Sequence, residues 1–198
     1  MPENMILGIT GGMGCGKSFA VQLLVKQGFK HIDSDRLVRE QVLTQPEVIA
    51  AIRSRFGDAA ITPDGTVNRI HLASVVFADN DALRWLEELT HPLVFAEWRV
   101  QLATAPGSRW IVEVPLLFEK QLENWFDFIV CVTCAPALQL TRLEQRGLTR
   151  ALAAQRISKQ LPLARKIELS DFVLLNDGSP DFLQKQIDLL VGALTIVR

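Results

Sequence analysis

The chain has 198 residues, 48% hydrophobic and 22% charged, with a net charge of −1. Those values fit a soluble globular fold with room for a substantial core, and they exclude a disordered chain or one that holds nucleic acid by bulk charge. The opening Met-Pro-Glu-Asn lacks the basic start and cleavage site of a signal peptide, and no apolar run approaches the roughly 20 residues needed to span a bilayer. The three cysteines, Cys15, Cys131 and Cys134, suit reduced thiols, so a cytoplasmic protein without membrane or nucleic-acid partners is expected.

In chain order, Met5 to Thr10 is a short apolar run bounded by glycines and reads as a buried strand. Lys17 to Gln27 has helical character, with Gly28 as its C-terminal stop. Phe29 to Ile32 is a second short strand, ending in Asp33-Ser34-Asp35. Residues 36–56 and 81–105 look mainly helical and flank a turn at Thr62-Pro63-Asp64-Gly65. Arg109 to Val114 and Phe128 to Val132 are strand candidates, with helices expected at 136–146, 149–160 and 163–169. Asp171 to Leu175 is the last strand, and a turn at Asn176-Asp177-Gly178 leads to a helix from Pro180. Alternating strands and helices predict an α/β fold, a parallel sheet flanked by helices, with ligands beyond the carboxyl ends of its strands.

The segment Gly11-Gly12-Met13-Gly14-Cys15-Gly16-Lys17-Ser18 matches G-x-x-x-x-G-K-[ST] in full, after a strand and at the start of a helix. Glycines at 12, 14 and 16 permit a concave nest of main-chain amides for the β- and γ-phosphates of a nucleotide. Cys15 and Phe19 line this loop and helix start. Lys17 bridges the phosphates, and Ser18 is the magnesium ligand. The motif alone does not separate kinases from switch GTPases or ATPase motors.

Phosphoryl transfer also needs a carboxylate that orients the acceptor hydroxyl and takes its proton. Asp33 and Asp35 end the second strand and are the candidates; the competing reading makes Asp35 the N-cap of the next helix. Residues 139–169 carry seven Lys/Arg against two acids. Arg142 and Arg146, four apart on one helix face, could clamp the transferring phosphoryl group. Arg146 to Glu168 has the length and charge of a lid. Arg150, Lys159, Arg165 and Lys166 read as a solvated face.

Several motifs in one order resemble the dephospho-coenzyme A kinase family over nearly the whole chain. They are the phosphate loop from Thr10, Asp33-Ser34-Asp35 with Arg39, Phe77-Ala78-Asp79, and His91-Pro92-Leu93-Val94. Pro115-Leu116-Leu117-Phe118-Glu119, Arg142-Leu143 with Arg146, Arg156-Ile157 with Gln160, and Asp171 through Asn176-Asp177-Gly178 complete the series. The resemblance implies a P-loop kinase fold with a nucleotide core (1–35, 107–141 and 170–198), a helical acceptor-binding insertion (36–106) and a lid (142–169). It implies ATP as donor, with Mg2+, and dephospho-coenzyme A as the small-molecule acceptor. Asp35 would be the base for the ribose 3′-hydroxyl, and Lys17, Arg142 and Arg146 would hold the phosphoryl group. Asp33, Arg39, His91, Leu116, Leu117, Phe118 and Glu119 would lie near the acceptor, and Asn176 near the adenine. Cys15 and Phe19 depart from commonly small or polar residues, and Leu175 stands where aspartate is frequent. Glu113 occupies a position often apolar or Asp; it either orders a magnesium-bound water or merely faces solvent.

Cys131-x-x-Cys134 resembles a metal or redox pair, but no second pair completes a zinc site, and Cys131 lies in an apolar strand where it acts as a small hydrophobe. Trp85, Trp98, Trp110 and Trp125 read as core or domain-junction residues. His91 either contacts substrate or closes a helix end before Pro92, and His31 and His71 carry no signal. The alternatives are a nucleoside or nucleoside-monophosphate kinase and, in another class, a nucleotide switch, although no guanine-reading N-K-x-D is present.

Overall fold

The structure is a computed structural model and describes residues 4–196. Residues 1–3 and 197–198, the outermost parts of the expected nucleotide core, lie outside the described residues. The strands β1 (Met5–Gly11), β2 (Lys30–Asp33), β3 (Arg109–Glu113), β4 (Phe128–Thr133) and β5 (Phe172–Leu175) form a parallel sheet in the order β2-β3-β1-β4-β5. Helices on its faces bury both sides of the central strands, which therefore read as near-continuous apolar runs. Leu7, Ile9, Ile111, Val130 and Val132 are buried there. Register places Ile9 beside Glu113 and Gly11 beside Val132. The carboxyl end of β1 thus emerges between the ends of β3 and β4, where α/β sheets place ligands.

The chain divides into two compact units, residues 1–32 with 106–198, and residues 33–105. In the first unit, α1 (Lys17–Lys26) begins at the phosphate loop. Gly28 follows it at φ +89°, donating to the Val25 carbonyl, as a left-handed stop must. After β4 come α6 (Pro136–Gln145), α7 (Arg150–Ser158) and α8 (Leu163–Glu168), and α9 (Pro180–Ile196) ends the described chain. Leu183 and Ile187 of α9 join Leu24 of α1 and Leu174 of β5 in one core cluster. The outer strand β5 is blunted by Gln186, whose amide both accepts from Leu175 N–H and donates to its carbonyl, at 2.8 Å each.

The second unit is helical: α2 (Ser34–Leu37), a π-helical turn at Val38–Val42, α3 (Pro46–Phe56), α4 (Arg69–Val76) and α5 (Asn80–Ala103). Val48, Ile52, Leu72, Val94 and Trp98 are buried in it. The helical stretch expected over 36–56 starts at Ser34 and breaks before Pro46. Thr44 Oγ1 takes the carbonyls of Glu40 and Gln41, and the proline has no N–H to continue the ladder. The turn at Thr62–Gly65 closes through Gly65 N–H to Thr62 O. Helix α4 went unforeseen; Asn68 Oδ1 caps it by accepting from His71 N–H at 3.2 Å. Asp79 caps α5. The idea that His91 closes a helix is corrected: α5 runs on through Pro92 to Ala103.

The capping assignment also changes. Asp33, not Asp35, is the N-cap of α2, its Oδ1 accepting from Arg36 N–H at 2.8 Å. Asp35 sits within the first turn, exposed. Replacing the cap by alanine orphans an amide, so Asp33→Ala should lower stability by about 1 kcal/mol while Asp33→Asn stays near wild type. Urea unfolding monitored by circular dichroism measures both.

Candidate phosphate-binding site

The loop after β1 is shaped by its glycines. Gly14 and Gly16 hold φ of +79° and +89°, which a side chain would strain. Gly16 is also the N-cap of α1 and brings no side chain to cap the helix amides. The positive end of α1 is therefore left to a ligand, the usual construction of an anion site. Lys17 Nζ folds over the loop, donating to the carbonyls of Gly11 and Gly12 at 3.2 and 3.1 Å.

Three neighbours brace this backbone. Asn176, following β5, is buried and donates through Nδ2 to the Cys15 carbonyl at 2.9 Å. Gln139, on α6, is also buried, and its Nε2 donates to the Met13 carbonyl at 2.6 Å. Cys134, one residue beyond β4, donates its thiol to Cys15 Sγ across 3.5 Å. That hydrogen bond lowers the Cys15 thiol to about 7 against the opposing effect of burial, and the charge of Lys17 assists. Cys134, as donor and buried, is pushed up, and burial raises Cys131 to about 11. Gln139 is not legible in the sequence, because a lone glutamine on a helix signals nothing until β1 and α6 are brought together.

Beside the loop lies a cleft of about 350 Å³ whose lining includes Gly16, Phe19, Arg142, Arg146 and Asn176. Five expected site residues are thereby gathered in one place. Arg142 Nη2 donates to the Asn176 carbonyl at 3.0 Å, while its Nη1 is buried without a hydrogen-bond partner among the described residues. A buried guanidinium nitrogen left unpaired is costly, and an anion in the cleft would relieve it.

On the other side, Ser18 Oγ donates to Glu113 Oε1 at 3.4 Å, and His31 Nε2 lies 3.6 Å from Glu113 Oε2. Glu113 is only 12% exposed at its side chain, so it does not simply face solvent. His31, thought to carry no signal, is its neighbour. Among the described residues no group of three or more His, Cys, Asp or Glu could hold a metal ion. One hydroxyl beside one carboxylate suits a hard cation that keeps most of its ligands from water and phosphate.

Leu117 and Phe118 are buried, and Leu116 is the exposed apolar member of Pro115–Glu119. In the other unit, Asp33 is occupied as a cap, Asp35 and Arg39 are exposed on α2 and the π-helical turn, and His91 lies 5.8 Å from the Phe95 ring on α5.

The family model for dephospho-CoA kinase matches residues 5–181. The chain belongs to the dephospho-CoA kinase family. A dephospho-CoA kinase of Thermosynechococcus vestitus is 42% identical over 190 residues, covering 95% of this chain and 94% of the relative. A crystal structure of a Thermus thermophilus protein is 29% identical with a TM-score of 0.86, covering 97% of this chain and 98% of that one. The solved dephospho-CoA kinase of Campylobacter jejuni is 24% identical, with a TM-score of 0.72 over 96% of this chain and 97% of that one, and shares the fold.

Against this dephospho-CoA kinase background, one basic residue departs from expectation. Lys166 is not on a solvated face: it is fully buried, whereas Arg150, Lys159 and Arg165 are exposed. Its Nζ pairs with Glu119 Oε1 at 2.8 Å and donates to the Pro115 carbonyl at 2.7 Å. Glu119 Oε1 also accepts from Leu161 N–H at 2.8 Å, and the Pro115 carbonyl accepts from Thr10 Oγ1 at 3.2 Å. Both ends of the Pro115–Glu119 loop are thus tied to α8 and the turn before it. A buried ion pair that loses one partner leaves the other charge stranded. Lys166→Met should therefore cost about 3 kcal/mol, read as a lower urea midpoint, with Lys166→Arg recovering part of the loss.

Proposed function

We propose that this chain transfers the γ-phosphoryl group of ATP to the ribose 3′-hydroxyl of dephospho-coenzyme A, giving coenzyme A and ADP. Its membership of the dephospho-CoA kinase family supports the reaction class and the acceptor. The observation that carries the reading onto this chain's own residues is the unpartnered Nη1 of Arg142, buried at a cleft that Gly16 of the phosphate loop also lines. Among the described residues no helix is long and apolar enough to cross a membrane.

In this reading the loop amides of Gly12 to Ser18 and the amino end of α1 hold the β- and γ-phosphates. Lys17 exchanges the carbonyls of Gly11 and Gly12 for phosphate oxygens. Phe19 and Asn176 border the nucleotide in the cleft. Arg142 and Arg146 neutralise charge on the phosphoryl group as it moves between two oxygens. Ser18 and Glu113 would hold Mg2+, the hydroxyl directly and the carboxylate through water; when bound, the ion neutralises phosphate charge.

Asp35 accepts the proton of the acceptor hydroxyl. Capping by Asp33 favours this choice, since the cap role belongs to the other carboxylate. Arg39, His91 and the exposed Leu116 contact the acceptor, with Asp33 close by in sequence to Asp35. Leu117, Phe118 and Glu119 give that loop its shape. Residues 36–106 serve as the acceptor-binding insertion, 142–169 as the lid, and the remainder as the nucleotide core.

Incubation with Mg-ATP and dephospho-coenzyme A should give a product heavier by one phosphoryl group, and a nucleoside panel should give none. Product from a nucleoside but not from dephospho-coenzyme A would overturn the assignment. Asp35→Asn should reduce kcat by about 10² to 10⁴ with ATP affinity close to wild type by calorimetry; unchanged turnover removes Asp35 from the mechanism.

A further inference from the structure

The sequence pairs Cys131 with Cys134 by spacing, but the fold pairs Cys134 with Cys15. Thr10 lies beside Cys131 in the β1–β4 register, so the two strands leave the sheet together. Cys15 enters the phosphate loop and Cys134 begins the turn into α6. Their sulfurs stand 3.5 Å apart although they are 119 positions apart in the chain.

We propose that Cys15 and Cys134 form an oxidation site for a small hydroperoxide, and that the resulting disulfide closes the phosphate loop to ATP. The inference rests on the reading of that loop as an ATP site. Three observations carry it. The first is the direct thiol-to-thiol contact, which needs only about 1.5 Å of further approach to reach disulfide bonding distance. The second is where the bond would act. The Cys15 carbonyl is held by Asn176, Cys15 N–H donates to the Gly12 carbonyl at 3.2 Å, and a methyl group on Gly12 would stand 2.7 Å from Cys15 Sγ. No slack separates the sulfur from the nest, so a pull on Cys15 must displace amides that receive phosphate. The third is the chemical asymmetry of the pair: Cys15 accepts the hydrogen bond and lies near Lys17, which favours thiolate on the loop cysteine.

Cys15 is fully buried and Cys134 is 3% exposed. A bulky disulfide has no approach to either sulfur, and a hydroperoxide, little larger than water, needs only a transient opening of the loop. The Cys15 thiolate attacks one peroxide oxygen; the O–O bond breaks, hydroxide leaves and takes up a proton, and Cys15 becomes a sulfenic acid. The Cys134 sulfur then attacks Cys15 sulfur, the S–S bond forms, and the S–O bond breaks with loss of water. Two thiols are oxidised by two electrons, and hydrogen peroxide is reduced to two waters. Cys131 takes no part, because its place within β4 turns its reactivity over to burial.

The test uses the reduced full chain, hydrogen peroxide as the oxidant, and calorimetric titration with ATP. Wild type should lose the mass of two hydrogens, yield a Cys15–Cys134 linked peptide on digestion, and bind ATP at least tenfold more weakly. Dithiothreitol should restore both mass and affinity. Saturating ATP should slow the oxidation, and Cys134→Ala should give no bridged species and lose affinity at least tenfold more slowly. Cys131→Ala should behave as wild type. The proposal is overturned if the linked peptide is absent after peroxide, if the bridged protein binds ATP unchanged, or if Cys134→Ala loses affinity as fast as wild type. The linked-peptide result needs no variant, so it stands even if Cys134→Ala folds poorly. Failure of the reduced wild type to bind ATP would instead remove the ATP reading of the loop.

Discussion

A loop that binds phosphate through main-chain amides works only if something else holds its carbonyls. Here that constraint falls on the contact between Asn176 Nδ2 and the Cys15 carbonyl, in a residue that is 6% exposed. Each such hydrogen bond adds only about 1 kcal/mol net, but a buried network that is fully satisfied selects one backbone conformation over its competitors. Asn176 also receives Arg142 on its own carbonyl and is anchored through its N–H to Thr133. One residue thereby links the end of β4, the phosphate loop and the arginine of the cleft. Gln139 does the same for the Met13 carbonyl from α6.

Two cations of this unit, the buried Lys166 and the half-buried Arg142, illustrate opposite uses of the same electrostatic cost. Lys166 is paired at Nζ with Glu119 and the Pro115 carbonyl. Arg142 is satisfied at Nη2 and bare at Nη1. A charge that is fully paired stabilises a shape, and one that is half paired is prepared for an anion. The planar guanidinium makes that division possible, because its nitrogens point in fixed, separate directions.

Cysteine in the phosphate loop has a further consequence for how the loop is held. Alanine at that place would leave Cys134 without its partner, whereas here a thiol contact joins the loop to the end of β4. The same contact that adds a brace in the reduced chain places the two thiols of the proposed oxidation site at the phosphate loop. Carboxylates tie the chain at both ends of β4: Asp177 Oδ1 accepts from Ala135 N–H, and Asp171 Oδ2 from Ile129 N–H. The Asp171 to Gly178 segment therefore organises both ends of β4.

Much of the fold was legible because its signals are local. Five apolar runs, the glycine stops and the phosphate loop are each written in a few consecutive residues, and the structure returns them with shifts of one or two positions. Helix α4 was missed because Asn68 and eight following residues carry no strong periodicity, and the break at Leu43 to Gln45 was missed because Thr44 competes for carbonyls only once the helix has formed. The sequence alone determined the phosphate-loop motif, the order of the five strands along the chain, and the family. Tertiary structure decided the long-range partners: Gln139 and Asn176 on the loop, Lys166 in the core, Glu113 beside Ser18, and Cys134 against Cys15. The physical reason is that a nest or a helix start depends on the angles of adjacent residues, whereas these contacts depend on how parallel strands align residues up to 161 positions apart.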